Sequence, residues 1–220
     1  MSFDVGFAGT LSAPHVAPSP VPVRRTHAPT AIVGHGPHSP QRPLLEDFVR
    51  REFLTHFGAR IKHFMPELLA LNGADHTIRA VVGCRAAAAE PLFLETYTRQ
   101  PIEEVLALRN GFWVPRERIV EIGSLACRNA KAAIEIVRAL VPHLLNAGFS
   151  WVVFTGADTV MNVFRYLELS PRPLCPADPR LLGAARDDWG TYYDHDPQVM
   201  AGRIQDGAFA SHPLAARRRQ

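Results

Sequence analysis

The sequence predicts an α/β fold of the α+β kind: one domain with a mixed, mostly antiparallel central sheet flanked by helices, behind a disordered N-terminal leader. Three observations carry this. Residues 116–166 alternate β-forming runs with helix-period runs and compose a βαβα unit. Two more β-forming runs, 76–87 and 90–97, precede it on a short Ala-rich link, which predicts an antiparallel pair. At Leu44 proline-dense sequence gives way to amphipathic sequence. The expected organisation is a Pro/His-rich leader over 1–43, a folded domain over 44–207 and a basic disordered tail over 208–220.

The elements follow in order. The leader carries prolines at 14, 18, 20, 22, 29, 37, 40 and 43, a density that opposes helices and ladders and favours coil. Its histidines, 15, 27, 35 and 38, are irregularly spaced, so composition explains them better than metal binding. From Leu44, Phe48, Phe53, Leu54 and Phe57 recur at helical spacing. Gly58 and Pro66 bracket a short helical or irregular piece through Leu71. Asn72-Gly73 signals a turn into the 76–87 strand, and EPLFLETY at 90–97 reads as the next strand. Pro101, followed by Glu103 and Glu104, opens a helix that ends near Asn110-Gly111. A strand over 118–127 leads into a helix over 129–147 with a wide apolar face; Pro142 predicts a kink in it and Gly148 its stop. SWVVFT at 150–155 is nearly all apolar, as in a strand of a parallel or mixed sheet covered on both faces. A helix follows over 158–169. Residues 170–185 read as loop, WGTYY at 189–193 as a short strand or turn, and 197–204 as one more strand or helical turn.

The totals exclude several classes. The chain has 220 residues, enough for one domain with a full core, and a net charge of only +3. Its basic surplus lies near the ends, at Arg24, Arg25 and Arg42 and at Arg217, Arg218 and Arg219, so no basic folded face for nucleic acid is expected. No run approaches the roughly 18 apolar residues a spanning helix needs, and the first residues lack a signal-peptide pattern. Cys84, Cys127 and Cys175 form no CxxC, which speaks against a zinc knuckle or redox dithiol and for a reducing, cytoplasmic location. His195 stands between Asp194 and Asp196, but neighbours on a strand point to opposite faces, so no metal is expected.

The turn after the 118–127 strand carries the first chemical signal. Arg128-Asn129-Ala130-Lys131-Ala132-Ala133 sits at a helix N-terminus, where free N–H groups and the helix dipole favour an anion. Arg128 and Lys131 add charge, and the small residues let a phosphate approach the backbone. The pattern matches an acyl-CoA pyrophosphate turn, Arg/Gln-x-x-Gly-x-Gly/Ala, with Lys131 in place of the first glycine.

Taken together, LFLETY, PIEEVLAL, IVEIGSLAC, WVVFT, NVFRYLEL, PLCPADP and WGTYYDHDPQVMAG resemble the thermostable hemolysin family over about residues 44–207. Members of that family look like GNAT (GCN5-related N-acyltransferase) proteins. The resemblance implies acyl transfer from acyl-CoA or an acyl carrier protein to a small amine. It makes the 118–127 strand the one that splays from its neighbour and offers N–H groups to the pantetheine arm, with Gly123 and Ser124 at its bulge and Leu125 beside them at the donor. It assigns Arg128, Lys131 and Ala133 to the donor phosphate, and Asn162 and Tyr166 to the helix that completes the site. Glu121 is the general base, its pKa raised in an apolar strand, and Tyr166 the acid toward the departing thiolate. Glu95 and Tyr97, on one face of the 90–97 strand, line the acceptor pocket. Each has a competing reading: Glu121 in an ion pair with Arg116 or Arg118, Tyr166 as a core aromatic, Asn162 as a helix-surface or capping residue, and Glu95 and Tyr97 on a solvated face. The tips of Tyr192, Tyr193 and Asp194 either close over a substrate or pack a tail. Two functional alternatives stand beside acyl transfer: a membrane-active, hemolysin-like protein and a catalytically inactive GNAT-fold binding module.

Overall fold

The computed structural model describes residues 32–206. In chain order it contains β1 (Ile32–His35), α1 (Arg42–Phe57), β2 (Glu67–Asn72), β3 (Ile78–Ala86), α2 (Glu95–Thr98), α3 (Ile102–Asn110), β4 (Ile119–Cys127), α4 (Ala130–Asn146), β5 (Trp151–Gly156), α5 (Asp158–Tyr166), β6 (Arg172–Pro176) and β7 (Gln198–Arg203). Short 3-10 turns occupy Arg116–Arg118, Pro179–Trp189 and Tyr192–His195. The strands form one sheet in the order β1-β2-β3-β4-β5-β7-β6. The β4–β5 pairing is parallel and the other neighbours are antiparallel. That single parallel step follows from the chain path, since α4 carries the chain across one face from the end of β4 to the start of β5.

Sheet parity decides what each face sees. On β3 and β4 the residues Ala80, Val82, Cys84 and Val120 turn toward α4, whose buried Ile136, Val137, Leu140 and Leu144 complete one core. Val81 and Ala126 turn the other way and meet α1 through Leu45, Phe48 and Val49. Further along that second face, Ile119, Val153 and Val199 pack beneath α2 and α3. The helix ends have local causes. Gly58 ends α1 at φ +66°, a left-handed conformation that glycine adopts freely. Asn129 starts α4 by accepting a hydrogen bond from the Ala132 N–H at 3.0 Å. The helix then runs through Pro142 to Asn146.

Four stretches differ from the sequence expectation. Residues 90–97 are not a strand: they make a turn followed by α2, and β3 pairs with β2 and β4 instead. The backbone N–H groups here find the carboxylates of a buried Glu121 and a half-buried Glu95 rather than a neighbouring strand. Glu121 takes those of Phe93 and Leu94, and Glu95 takes those of Leu92 and Ile102. Second, ELLALN at 67–72 is β2. A buried apolar run of that length cannot be told from a helical piece by periodicity. Third, part of the expected leader is ordered. β1 pairs with β2, and Pro43 falls in the first turn of α1, where proline is tolerated; the rest of that expectation, and the 208–220 tail, lie outside the described residues. Fourth, the 170–185 loop contains β6, whose Pro173 and Pro176 fit a strand at the sheet edge.

Candidate active site

β4 and β5 run in register from Ile119 opposite Trp151 to Ile122 opposite Phe154, and then part. Beyond that point β5 continues along β7 to Gly156, and β4 along β3 to Cys127. A bulge bends β4 at the parting. Gly123 pairs with Gly83 and Ala126 with Val81, so Ser124 and Leu125 together stand opposite Val82. Ser124 takes a left-handed φ of +50° to make the turn. The bulge expected at Gly123 and Ser124 falls one residue later, at Ser124 and Leu125, and the strand splays from β5 as expected.

A cavity of about 770 Å³ fills the gap and reaches both faces of the sheet. On the α4–α5 face its walls are apolar, among them Val82, Ile122, Ile136, Leu140, Val163 and Phe164. On the opposite face they are aromatic and polar: Phe93, Tyr97, Glu121, Trp189, Tyr192 and Tyr193. Trp189 packs against Phe93, Tyr192 and Tyr193 with ring centroids 5.3–5.9 Å apart, and Phe57 of α1 meets Tyr192 edge-on at 5.3 Å. The Tyr192 hydroxyl donates to the Thr155 carbonyl at 3.3 Å.

Glu121 is 2% exposed. Oε1 accepts from the Leu94 N–H at 2.9 Å and Oε2 from the Phe93 N–H at 3.0 Å. Burial pushes its pKa up; those two N–H groups and the Arg85 guanidinium, 3.7 Å away, pull against the rise without cancelling it. Neither expected partner reaches it. Arg116 instead binds Glu95 and Glu103, each at 2.6 Å, and Arg118 donates to the Gly148 carbonyl.

The other expected site residues separate into two groups. Gly123, Ser124, Leu125, Arg128, Ala133 and Tyr97 line the cavity with Glu121. Lys131, Asn162, Tyr166 and Glu95 do not. The Lys131 side chain is 79% exposed and points toward Glu135. Asn162 is exposed and accepts from Arg165 at 2.7 Å. Tyr166 is 65% exposed, so the expected confrontation of Glu121 with Tyr166 across the gap does not form. The reason is the apolar stripe of α5: Val160, Val163, Phe164 and Leu167 recur at helical spacing and turn inward, which sends Tyr166 outward. Glu95 is likewise turned away from Tyr97, because a helix replaces the expected strand. Burial raises its pKa, but the bond to Arg116 and the N–H groups of Ile102 and Leu92 outweigh that and leave it below the usual value.

Arg128 combines structural contacts with a place at the cavity. Its Nε donates to the Ile78 carbonyl at 2.7 Å, and its guanidinium lies 5.9 Å over the Phe48 ring. Beside it, Asn129 and Ala130 open α4 toward the cavity. Arg85, Phe93 and Thr155 escaped the sequence reading. The Thr155 hydroxyl is buried with no hydrogen-bond partner among the described residues, yet it borders the gap. Alternation along β5 from the all-apolar run would have placed it on the Glu121 face, since Glu121 pairs with Val153. The cysteines offer no ready nucleophile: burial pushes Cys84 far up and Cys127 to about 12.

A sheet that opens between one parallel strand pair, with a bulge on the first strand and a helix N-terminus behind it, is a GNAT-like fold. Solved structures share it. FeeM, an N-acyl amino acid synthase from uncultured soil microbes, superposes with a TM-score of 0.57 at 13% identity, covering 84% of this chain and 97% of its own. TofI, solved in a ternary complex with an inhibitor and MTA, gives 0.55 at 11% identity over 82% and 95%. MesI, a CoA-dependent acyl-homoserine lactone synthase, gives 0.51 at 13% over 84% and 95%. No curated protein matches the chain in sequence. The profile of the thermostable hemolysin family matches residues 35–208, and the chain belongs to that family. Among the described residues no helix is long and apolar enough to cross a membrane.

Proposed function

We propose that the protein transfers an acyl group from a phosphopantetheine thioester, carried by CoA or by an acyl carrier protein, to a small amine. The observation that carries this reading is the cavity at the β4–β5 gap, apolar on one face of the sheet and polar on the other. Beyond Ile122 the β4 backbone has no strand partner on the β5 side among the described residues, which suits the amide-rich pantetheine arm. The N-terminus of α4, with Arg128 beside it, takes the donor phosphate. The acyl chain lies among the apolar side chains on the α4–α5 face. Room for it implies chains well beyond acetyl, since cavities of about 300–1,000 Å³ hold drug-sized ligands.

The amine approaches from the aromatic face. An ammonium must lose a proton before it attacks, and Glu121 is the base, directly or through one water. Its raised pKa brings it nearer working pH, while the Phe93 and Leu94 N–H groups fix its orientation. Thr155 then offers a buried hydroxyl to the thioester carbonyl as negative charge develops there. The overall likeness to an N-acyl amino acid synthase makes amino acids the first acceptors to try.

The test is direct. The full-length protein is incubated with acyl-CoAs of graded length and the twenty amino acids, with released thiol and acylated product followed by absorbance and mass spectrometry. Turnover that rises from acetyl to medium chains supports the reading. No product from any CoA or carrier-protein donor sinks it.

A further inference from the structure

With Tyr166 on the surface, the departing thiolate lacks its expected proton source. Another hydroxyl stands in the cavity. Tyr97 of α2 and Tyr193 of the 192–195 turn bond to each other through their phenol oxygens, and both line the Glu121 face. Neither hydroxyl has another partner among the described residues. Two phenols hold two O–H protons, and their mutual bond uses one. The other is free to be donated to a third group.

The pair is held rigidly. Phe93 meets the Tyr97 ring edge-on at 5.8 Å, and Trp189 and Tyr192 meet the Tyr193 ring edge-on at 5.9 and 5.2 Å. Two packed aromatic hydroxyls facing each other inside a cavity, rather than solvent, need a use for the remaining proton.

The geometry points to Tyr193 as the acid that protonates the departing thiolate, with Tyr97 positioned to donate to the Tyr193 oxygen and stabilise the phenolate left behind. This rests on the acyl-transfer reading above. Tyr97 is buried while Tyr193 is half-buried, so Tyr193 is the member open to a third group; burial raises both phenols, and the mutual bond raises Tyr97 further and lowers Tyr193. The titratable neighbours are Tyr97 on α2, Tyr192 on the same turn, and Glu121 on β4 with Arg85 of β3 beside it. The step balances. The ammonium first gives one proton to Glu121, which passes it to water; the neutral amine then forms the C–N bond as the C–S bond breaks and gives its second proton to Glu121. The sulfur takes the Tyr193 proton, and the proton held by Glu121 then restores the phenol.

A leaving-group experiment tests this. Full-length wild type, Tyr193→Phe and Tyr97→Phe are compared on decanoyl-CoA and on the decanoyl thioester of 4-nitrothiophenol, with the twenty amino acids as acceptors. The nitrothiophenolate departs without a proton. Tyr193→Phe should lower kcat on decanoyl-CoA by about 100-fold, the lower range for general acid catalysis, and leave kcat on the aryl thioester near wild type. Tyr97→Phe should show a smaller loss, also relieved by the aryl donor. A Tyr193→Phe enzyme unaffected on decanoyl-CoA, or equally impaired on both donors, overturns the proposal. If Tyr193→Phe does not fold, the Tyr97→Phe comparison decides by the same criterion. Wild type that transfers from no CoA, aryl or carrier-protein thioester would instead bring down the acyl-transfer reading itself.

Discussion

On one face of the sheet the cavity is walled by α4 and α5, whose apolar residues recur at helical spacing. On the other it is walled by the 91–97 segment and the 189–195 turns, whose shape depends on side-chain-to-backbone hydrogen bonds and stacked rings. The first wall is held by packing and tolerates volume-conserving change. The second hangs on a few polar atoms, each without a substitute. The contrast matches the two proposed tasks, an apolar chain on one side and proton transfer on the other.

The comparison breaks most sharply at Glu121. Glu121→Ala leaves the Phe93 and Leu94 N–H groups without acceptors, and hydrogen bonds to charged groups are worth about 1.5–3 kcal/mol each. A loss of about 3–5 kcal/mol in urea unfolding is expected, with acyl transfer abolished. Glu121→Gln keeps one acceptor and should recover much of the stability but little activity. Unchanged activity in Glu121→Gln would remove the base assignment.

On the packed wall, Leu140→Ala should cost about 2–4 kcal/mol, as for other buried leucines. Leu140→Trp should shift the preferred acyl-CoA toward shorter chains, read from kcat/KM across a length series. A larger residue here that leaves chain preference unchanged would put the chain elsewhere.

The two glutamates give opposite pH signatures. Glu95 is lowered in the folded protein, so its contribution is present above the unfolded glutamate value of about 4.3 and is lost as pH falls through its folded value. Glu121 is raised, so its contribution is present below that unfolded value and is lost as pH rises through its folded value. Melting temperatures from pH 4 to 7 should therefore show the penalty of Glu95→Gln growing with pH and that of Glu121→Gln shrinking. Parallel curves would contradict the assignments.

Smaller effects lie at the α4 N-terminus. Asn129→Ala removes a cap worth about 1 kcal/mol. Lys131→Ala, on an exposed side chain, should change stability by less than about 0.5 kcal/mol and raise the KM for acyl-CoA by no more than about 3-fold, in line with a single exposed charge pair.

The packed wall was the legible one. The spacing from Ala133 to Leu144 marks α4 as amphipathic, Gly123 flags the bulge, and the apolar run 150–155 announces a strand covered on both faces. The polar wall was hidden for a physical reason. β-formers at 91–97 are held out of the sheet by the segment's own Glu95 together with Glu121, 27–28 residues further on, and local pattern cannot see the second of these. Tyr166 was misplaced because a tyrosine at i+4 from Asn162 looks the same on either side of a helix until the stripe of Val160, Val163 and Leu167 is followed to the core.

The strand order has one more implication. β1 to β4 and β5 to β7 are two smaller sheets, and the strand pairing between them among the described residues is short, running from Ile119–Trp151 to Ile122–Phe154. Such a seam is a joint. An occupant of the gap that bonds to both strands would act as a splint across it, so amide hydrogen exchange in β4 and β5 should slow together when donor is bound, with the outer strands β1 and β6 little changed.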